Sequence, residues 1–506
     1  MKRLLAVLVL VCLLAGCSEE NAYIPTGGGF QDGSSPSSQA VTQVTGEVRL
    51  AYDKDGSLNP YTASDRNNRA LLSLIYQGLF AVNGDYEATP ILCRSYKVSD
   101  DMRTWTFYLE NATFSDGQPL TAGDVVASLR AARSKGFYSG RFQHIKSIDA
   151  ASDGSVVITL STPMNNLPLL LDIPIIKSSQ LDAATPLGTG PYILESTESG
   201  KQLRRQAAWW CNATLPVGAQ TIPLHHGTTQ RELWDLYKFS DLSMVCTDNY
   251  VDFRGDYELW ESENGIFVYL TCNLDSPVFS NKSVRSALTY AIDRDTLVKK
   301  YYRGFAHSAS LPASPSFPYY NTALAEKYDY EPEIFTQAVA DAQAASTPIV
   351  LLVNRDDPLR LRTAQAIAEM LTAAGLTVTI PEVSGQDYLN ALEWGEYDLF
   401  LGQTKLSANM DLTAFFTEKG SLNYGNITDV AANAMMQEAL ADGGNYQSLH
   451  KLVMDDGRLC PVLVRSDAVY GRRGLFPGLS PARDNIFYYS LGKTMDGIQI
   501  ATDYGD

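Results

Sequence analysis

The stretch from Phe114 to Leu129 reads FSDGQPLTAGDVVASL and predicts a tight turn that leads directly into a helix. Asp116 and Gly117, followed two residues later by a proline, have the composition of a β-turn. Thr121 and, three positions later, Asp124 resemble a capping box, and the apolar residues that follow supply a buried helix face. A turn and a helix cap in direct succession indicate a structural junction between a strand and a helix.

The first residues of the chain have the pattern of an export signal. Lys2 and Arg3 precede an apolar run, Leu4 to Ala15, that is shorter than the roughly 20 residues of a membrane-spanning helix. The segment LAGC that ends at Cys17 resembles a bacterial lipoprotein processing site. It predicts removal of residues 1–16 and a lipid anchor on Cys17, the alternative being a cysteine that merely lies in an ordinary signal.

The next segment and the overall charge limit the classes of partner. Residues 17–45 are rich in Gly, Ser, Pro and Gln, which predicts a flexible tether. The 506 residues carry a formal net charge of −17, which becomes −19 when Lys2 and Arg3 are removed. This acidity argues against a nucleic-acid partner, and the length predicts two or three lobes.

The residues of common catalytic and metal sites do not form recognisable patterns. The chain contains no G-x-S-x-G or H-E-x-x-H segment. His225 and His226 are adjacent, so on a strand they point to opposite faces and suit one metal ion poorly. The sequence therefore predicts a protein that is not an enzyme, with no cofactor and no metal.

Cysteine usage indicates little about redox chemistry. Besides Cys12 and Cys17 the chain has an odd number of cysteines without a C-x-x-C pair, which favours buried thiols with at most one or two disulfides. These cysteines are Cys93, Cys211, Cys246, Cys272 and Cys460.

Hydrophobic periodicity in the first half of the chain predicts strands around one early helix. Alternation predicts strands over Glu47–Asp53, Thr104–Glu110, Ser155–Thr162 and Gly265–Thr271, and apolar residues at helical spacing predict a helix over 66–80.

The second half predicts a parallel α/β unit. Residues 281–304 give one amphipathic helix up to Ile292 and a second that Asp293 caps. A strand over Thr347–Val353, a helix over 358–374 that ends at a glycine, and a strand over 376–380 follow in order. Strand, helix and strand in this order predict parallel strands with a helical crossover.

A series of short motifs in a fixed order resembles one known family. The motifs are Leu58-Asn59-Pro60, IYQGLF at 75–80, YKVSDD at 96–101, WTFYL at 105–109, the opening stretch, GTGPY at 188–192, VRSAL at 284–288 and AIDR at 291–294. Their order and spacing are similar to those of the bacterial extracellular solute-binding proteins of family 5, the receptors of peptide and nickel ABC importers. The resemblance covers roughly residues 46–475.

The resemblance implies an α/β fold of two lobes, the periplasmic-binding-protein-like fold of cluster C type, with an extra subdomain inserted in lobe one. Strand residues Phe267–Asn273 and Pro461–Arg465 would be the two crossovers between lobes, and the opening stretch would lie in the subdomain, away from the ligand. The implied divisions are a signal peptide at 1–16, a tether at 17–45, lobe I at 46–60, 170–270 and 465–506, the subdomain at 61–169, and lobe II at 271–464.

The family's ligand contacts carry over only in part. In peptide-binding members, the acidic residue that holds the ligand's amino group lies shortly before an Asp-Pro or Glu-Pro pair in lobe II. Asp411 matches the later acidic position, but Ala408 stands at the earlier one and Leu412 replaces the proline. The sequence thus departs from the amino-group clamp, and Lys405 favours an anionic group.

Other positions complete the predicted site. Arg355 matches a position that pairs with a ligand carboxylate in some dipeptide-binding members, although it also fits a surface arginine beside two aspartates. The remaining predicted ligand-binding residues are Tyr61, Asn273, Gln403, Asn423 and Tyr424.

Four functional hypotheses follow. The first is a monomeric, lipid-anchored receptor on the extracytoplasmic face that delivers peptides or peptide-like solutes to the permease and ATPase of an ABC importer. The second is the same receptor with a non-peptide ligand such as a sugar, an amine or a metal complex. The third is a secreted hydrolase, and the fourth is a surface sensor that keeps the fold without an importer.

Overall fold

The computed structural model describes residues 47–487, except 136, 213–217, 240, 248–256, 426 and 477. The predicted signal, the tether and Cys17 lie outside this part, as does the end of the chain from residue 488. Within the described ranges, no helix combines the length and apolar character that crossing a membrane requires.

The strands of the described part are numbered in chain order. They are β1 (Leu50–Tyr52), β2 (Phe80–Val82), β3 (Ala88–Pro90), β4 (Cys93–Val98), β5 (Thr104–Leu109), β6 (Ile145–Ala150), β7 (Val156–Leu160), β8 (Tyr192–Thr197), β9 (Gly200–Arg205), β10 (Thr221–His226), β11 (Met244–Thr247), β12 (Tyr257–Cys272), β13 (Ala306–Ser308), β14 (Pro348–Leu352), β15 (Thr377–Thr379), β16 (Leu399–Lys405) and β17 (Leu459–Arg472).

The α-helices are numbered in the same way. They are α1 (Arg66–Ile75), α2 (Ala122–Arg133), α3 (Gln230–Lys238), α4 (Lys282–Ala287), α5 (Arg294–Tyr301), α6 (Thr322–Ala325), α7 (Pro332–Asp341), α8 (Pro358–Ala373), α9 (Gly385–Trp394), α10 (Thr413–Phe416), α11 (Val430–Ala441) and α12 (Tyr446–Asp456).

Two long strands form the centre of the largest sheet. This sheet has the order β11-β17-β12-β16-β14-β15, and β13 adds to β17. β12 and β17 run antiparallel from the Tyr257–Arg472 pair to the Thr271–Leu459 pair. The buried side chains of Phe267 and Tyr269 on β12 anchor this pairing, since a large apolar side chain removed from water contributes roughly 1.5–3 kcal/mol.

Three smaller sheets accompany the large one. A four-stranded sheet has the order β1-β10-β9-β8, a second has the order β4-β5-β7-β6, and β2 pairs with β3 alone. The β4-β5-β7-β6 sheet is antiparallel throughout and carries α2 against β6 and β7. This sheet and α2 fall within the residues predicted to form the inserted subdomain.

The opening stretch forms the corner that its sequence predicts. Thr121 Oγ1 accepts a hydrogen bond from the Asp124 backbone N–H at 3.3 Å, and an Asp124 carboxylate oxygen accepts from the Thr121 N–H at 3.1 Å, which confirms the capping box. Gly117 adopts a φ of 83°, which glycine tolerates without strain. The Ser115 N–H donates to the Gly188 carbonyl at 3.0 Å, so the corner is tied to the later GTGPY turn.

The predicted parallel unit in the second half is confirmed. β14 pairs in parallel with both β15 and β16, and α8 connects β14 to β15. Gly375, at a φ of 103°, follows α8 as the helix stop. The core of this region packs buried aliphatic residues of α8, such as Ile367, against Ile349 of β14, Phe335 of α7 and Leu297 of α5.

Three elements differ from the prediction. The helix expected over 66–80 ends at Ile75, where Tyr76 adopts an extended backbone, and Phe80 begins β2.

The helix expected to continue to Ile292 ends at Ala287, and a 3₁₀ turn covers Leu288–Ala291. Buried Arg294 donates to the carbonyl and the hydroxyl of Thr289, at 3.0 and 2.8 Å, and these bonds favour the tighter turn over a continued α-helix.

The strand predicted from Gly265 to Thr271 is much longer. β12 extends from Tyr257 to Cys272, and Gly265, at a φ of 70°, lies within an irregular register between Glu263 and Phe267. This bulge interrupts the alternation by which the sequence pattern would have been recognised.

The five cysteines of the described part are all buried. Burial raises the pKa of the Cys93 thiol to about 12 and raises the pKa of Cys460. Thiols held neutral in this way are poor nucleophiles, which agrees with the expected structural role of these residues.

Candidate functional site

A cavity of about 110 Å³ lies between α1, the loop after β16 and the segment after β17. This volume is below the roughly 300–1,000 Å³ of typical small-molecule sites. Its lining includes Arg69, Gln77, Arg141, Asp172, Ala408 and Arg483.

The GTGPY turn explains how the end of α1 is held at the cavity. The Gly190 N–H donates to the Ile75 carbonyl at 2.9 Å, and a Cβ on Gly190 would lie 2.5 Å from the Ile75 carbonyl carbon. A Cβ on Gly188 would also collide with Ile75. The motif therefore needs glycine for close backbone approach, and the indole N–H of Trp209 fixes the turn through the Thr189 carbonyl at 2.8 Å.

Buried charges from distant parts of the chain meet at one side of the cavity. Arg141 pairs with Asp172 and donates to Asp484 at 2.9 Å. Lys405 donates to the other oxygen of Asp484 at 2.5 Å. Asp484 thus accepts charge-assisted hydrogen bonds from two cations, which are stronger than neutral ones.

The pKa shifts of these groups follow from burial and from each other. Burial by itself would raise the pKa of Asp484, but Lys405, Arg141 and Arg483 together lower it below its ordinary value. Burial raises the pKa of Asp172 against the opposing effect of Arg141. Burial also lowers the pKa of Lys405 to about 8, although Asp484 acts in the opposite direction.

Two of the cations near this cluster lie close to the same aromatic ring. The guanidinium carbon of Arg69 lies 3.2 Å from the centroid of the Phe137 ring, and Lys405 Nζ lies 4.9 Å from the same centroid. Both distances are within the range of cation–π attraction. Phe137 therefore stabilises two positive charges that would otherwise only repel each other.

Tyr61, a predicted ligand-binding residue, lies behind the cavity wall. Its hydroxyl donates to the carbonyl of the lining residue Pro174 at 2.8 Å, and its ring packs edge-on to Tyr138 at 6.2 Å. Tyr138 itself lines the cavity. Tyr61 is buried and supports the wall in this conformation.

Asp411 is turned toward the β4-β5-β7-β6 sheet. Its carboxylate is 2.9 Å from His144 Nε2, and it accepts from the Thr413 hydroxyl at 2.5 Å and the Thr413 N–H at 2.9 Å. Burial would raise the pKa of Asp411, but His144 and Thr413 together lower it. Ala408, in contrast, lines the cavity.

Gln403 and Asn273 bond to other protein groups. Gln403 donates to Asp357 at 3.2 Å and accepts from Arg465 at 3.1 Å. Asn273 donates to the carbonyls of Gly395 and Tyr397 at 3.1 and 2.9 Å.

The last three predicted residues lie near the surface or behind β16. Arg355 pairs with Glu382 at 2.8 Å, and 55% of the Arg355 side chain is exposed. Asn423 donates to the Thr417 carbonyl at 2.9 Å, and the ring of Tyr424 packs edge-on to the buried Phe400. None of the seven predicted residues lines the described cavity, and their roles in binding stay predictions.

The cavity residues that sequence reasoning missed have no local motif. Arg141 and Asp484 are 343 positions apart, and Lys405 and Asp484 are 79 apart. The sequence pattern pointed to Ala408 and Lys405 as departures from the amino-group clamp, and residues of the IYQGLF motif also line the cavity, namely Tyr76, Gln77, Gly78 and Phe80.

One small group outside the cavity contains metal-ligating side chains. Asp53, Asp55 and His226 place ligand atoms within 4.8 Å of one another. His226 Nδ1 already accepts the Lys54 N–H at 3.2 Å, so binding a metal through this atom requires loss of that bond. His225 does not join the group.

Comparison with known families gives one match over most of the chain. A model described as "Bacterial extracellular solute-binding proteins, family 5 Middle" matches residues 87–425. The glutathione-binding protein GsiB of Escherichia coli (strain K12) is 28% identical over 291 residues, which cover 54% of this chain and 57% of the relative. The chain thus spans little more than half the length of the curated relatives that it matches.

Solved structures show the same fold at low sequence identity. NikA from Brucella suis in complex with Fe(III)-EDTA superposes with a TM-score of 0.73 at 17% identity, covering 88% of this chain and 99% of that one. The oligopeptide-binding protein AppA from Bacillus subtilis in complex with a nonapeptide gives 0.64 at 18% identity, covering 88% and 98%. These matches confirm the predicted α/β, two-lobed periplasmic-binding-protein-like fold.

Proposed function

The chain belongs to the bacterial extracellular solute-binding proteins of family 5, and from that premise we propose that it captures peptides or peptide-like solutes for an ABC importer by closure of two lobes. The observation that carries the proposal is the cavity, whose wall combines α1, the loop after β16 and the segment after β17. A partly apolar cavity with a few convergent charges is the usual form of a solute site. No catalytic step is part of the proposal.

Closure would act through the two long central strands. We take the lobe boundaries from the sequence, with β12 and β17 as the crossovers between lobe I and lobe II. Lys405 and Ala408 come from the second lobe in this division, and Arg69, Arg141 and Asp484 come from lobe I or its subdomain. Groups from both sides would enclose the ligand, and a few residues of the crossovers would absorb the rotation.

The named ligands of similar proteins support a peptide-like solute. GsiB is named for glutathione, and the Bacillus subtilis AppA structure contains a nonapeptide. A second candidate is the same receptor with a non-peptide ligand, because Ala408 at the cavity leaves the family's amino-group clamp incomplete, and the Brucella suis NikA structure contains Fe(III)-EDTA.

Membrane attachment and the importer partners are further parts of the proposal. The LAGC segment ending at Cys17 supports a diacylglyceryl anchor on the extracytoplasmic face, with residues 17–45 as the tether. A monomeric receptor held there would meet the permease and ATPase subunits of an importer.

A thermal-shift panel tests the ligand class. The full-length chain, extracted in mild detergent without refolding, is heated with a mixture of random tripeptides, with a sugar mixture, or with Fe(III)-EDTA. A ligand at 100 times its Kd stabilises the folded state by roughly 2.7 kcal/mol, so the proposal predicts a raised unfolding midpoint with peptides.

A cavity-filling variant makes the panel specific to the site. Ala408→Trp should abolish the peptide-induced shift, whereas Ala340→Trp, at an exposed position of α7, should keep it. A shift with sugar or Fe(III)-EDTA alone would favour the second candidate, and an equal peptide shift in both variants would move the site elsewhere.

A further inference from the structure

Arg483 provides a charged donor at the cavity that lacks an acceptor. The residue lines the cavity, only 8% of its side chain is exposed, and Nη1 has no hydrogen-bond partner in the described part of the chain. Nη2 donates to the Leu406 carbonyl, and Nε lies 3.8 Å from Asp484. A buried guanidinium with an unused N–H is costly unless an acceptor completes it, and a carboxylate matches its geometry.

The main chain is shaped to admit this guanidinium. Gly265 has a φ of 70°, and a Cβ there would lie 2.5 Å from the Arg483 guanidinium carbon. Any other residue at this bulge would therefore displace Arg483. The backbone of β12 at Gly265 therefore leaves the space that the Arg483 guanidinium occupies.

Positive charge exceeds negative charge around the cavity. Two carboxylates, Asp172 and Asp484, face four cations, namely Arg69, Arg141, Lys405 and Arg483. The next acidic group is Glu263, since Tyr86 lies close to both Glu263 and Arg483. The two carboxylate oxygens of Glu263 accept hydrogen bonds from the hydroxyls of Tyr86 and Ser314. Counting Glu263 still leaves the cations in excess.

The carboxylates are poorly placed to receive a ligand's amino group. Asp172 pairs with Arg141, and Asp484 is shared between Arg141 and Lys405. The loop after β16 presents Ala408 to the cavity, and Asp411 is directed to His144. A cationic ligand end would meet repulsion from four cations, and the unpaired acceptors among the described lining residues are neutral, namely the Asn485 amide oxygen and the Ser73 hydroxyl.

From these contacts we infer that the cavity selects peptide-like solutes of net negative charge and binds a ligand carboxylate at Arg483, with Lys405 and Arg141 supplying further positive potential. This inference rests on the proposed function and adds the charge class of the solute. The ligand carboxylate would accept a hydrogen bond from Arg483 Nη1, and its negative charge would offset the excess of cations. Arg483 contacts the ligand, whereas Asp484 positions Arg141 and Lys405.

Calorimetric titration with charge-matched probes tests the inference. The full-length chain is titrated with Ala-Ala-Glu, Ala-Ala-Gln, Ala-Ala-Lys and the non-peptide dicarboxylate glutarate. Because a hydrogen bond to a charged group discriminates by about one order of magnitude or more, Ala-Ala-Glu should bind at least about tenfold more tightly than Ala-Ala-Gln. Ala-Ala-Lys should bind most weakly.

Two arginine variants connect the preference to the site. Arg483→Gln should reduce the difference between Ala-Ala-Glu and Ala-Ala-Gln to less than about threefold, while Arg130→Gln, at an exposed ion pair with Asp149, should keep it. Should Arg483→Gln fail to fold, Ala408→Asp serves as the second variant and should weaken Ala-Ala-Glu relative to Ala-Ala-Lys.

The outcomes separate this inference from the proposed function. Peptide binding with no charge preference, or with a preference for Ala-Ala-Lys, overturns the inference and leaves the peptide receptor standing. Glutarate binding that needs Arg483, without binding of any tripeptide, supports the anionic site and overturns the peptide ligand. Failure of all four probes to bind overturns both.

Discussion

Lys405 Nζ lies 2.5 Å from a carboxylate oxygen of Asp484, and this ion pair joins the end of β16 to the segment after β17. The same carboxylate also binds Arg141, so one acidic group holds cations from two remote parts of the chain. The ion pair and the unused donor of Arg483 define the electrostatic character of the cavity.

The pH dependence of binding should report the protonation of Lys405. Its pKa is about 8, and the groups that face it are Asp484, Arg483, Arg69 and the Phe137 ring. Above pH 8 the unliganded lysine loses its proton and its attraction for an anion. The affinity for Ala-Ala-Glu should therefore fall between pH 7 and pH 9, by up to about tenfold per unit above the pKa.

Lys405→Gln is the control for this titration. The α-amino group of the peptide also titrates near pH 8, and it does so in both proteins. The difference in slope between wild type and Lys405→Gln therefore isolates the lysine. Identical slopes in calorimetric titrations would exclude a role of Lys405 in holding the anion.

A second prediction compares two glycines of similar backbone conformation. Gly265 and Gly117 have φ values of 70° and 83°, but only a Cβ on Gly265 meets Arg483, and one on Gly117 meets nothing within 4 Å. Alanine at either position should cost about 1–2 kcal/mol of stability for the left-handed backbone. Only Gly265→Ala should also weaken Ala-Ala-Glu binding in calorimetry, and equal affinities in the two variants would contradict the placement of Arg483.

Asp411 should contribute to stability rather than to ligand affinity. Its pKa is lowered from 3.8 by His144 and Thr413, so its stabilisation is fully present above about pH 4 and disappears as the pH falls through the folded-state value. Asp411→Asn should lower the free energy of unfolding by about 1.5–3 kcal/mol at pH 6. The difference from wild type should shrink as the pH approaches 3.

Asp149→Asn, at an exposed pair with Arg130, is the control for Asp411 and should change stability by no more than about 0.5 kcal/mol. Denaturant unfolding at several pH values measures both variants. A large loss of peptide affinity in Asp411→Asn with unchanged stability would return this residue to the ligand site that the sequence pattern predicted.

Membrane attachment gives a prediction that is independent of the cavity. Cys17→Ser removes the thiol that would carry the diacylglyceryl chain, and apolar burial of the chain at roughly 0.8 kcal/mol per methylene would be lost with it. The variant should appear in the soluble fraction after cell fractionation. Cys12→Ser, which leaves the LAGC segment intact, should stay with membranes, and retention of both variants would contradict the anchor.

Local elements were predictable from the sequence because the residues that determine them are only a few positions apart in the chain. The capping box of Thr121 and Asp124 and the helix stop at Gly375 form as predicted, and Asp293 accepts from the Thr296 N–H as the predicted cap of α5. Order and spacing of short motifs also identified the family. These patterns report backbone geometry, which depends on near neighbours.

The cavity could not be predicted in the same way. Arg141 and Arg483 meet Asp484 and Asp172 only because the sheets bring remote segments together, and no spacing rule connects them. Asp411 has a suitable residue type for a clamp, yet the side chain is directed to His144, 267 positions away. Side-chain direction depends on tertiary packing, which a one-dimensional pattern does not contain.

Native mass spectrometry most directly tests the central claim that this chain is a receptor for peptide-like solutes. The full-length protein, isolated from its host in mild detergent without refolding, is measured before and after removal of bound solute by partial unfolding. A receptor of this kind should retain masses of short peptides or peptide-like acids, absent from Ala408→Trp and present in Ala340→Trp. A single retained sugar or metal chelate in place of peptides would contradict that claim.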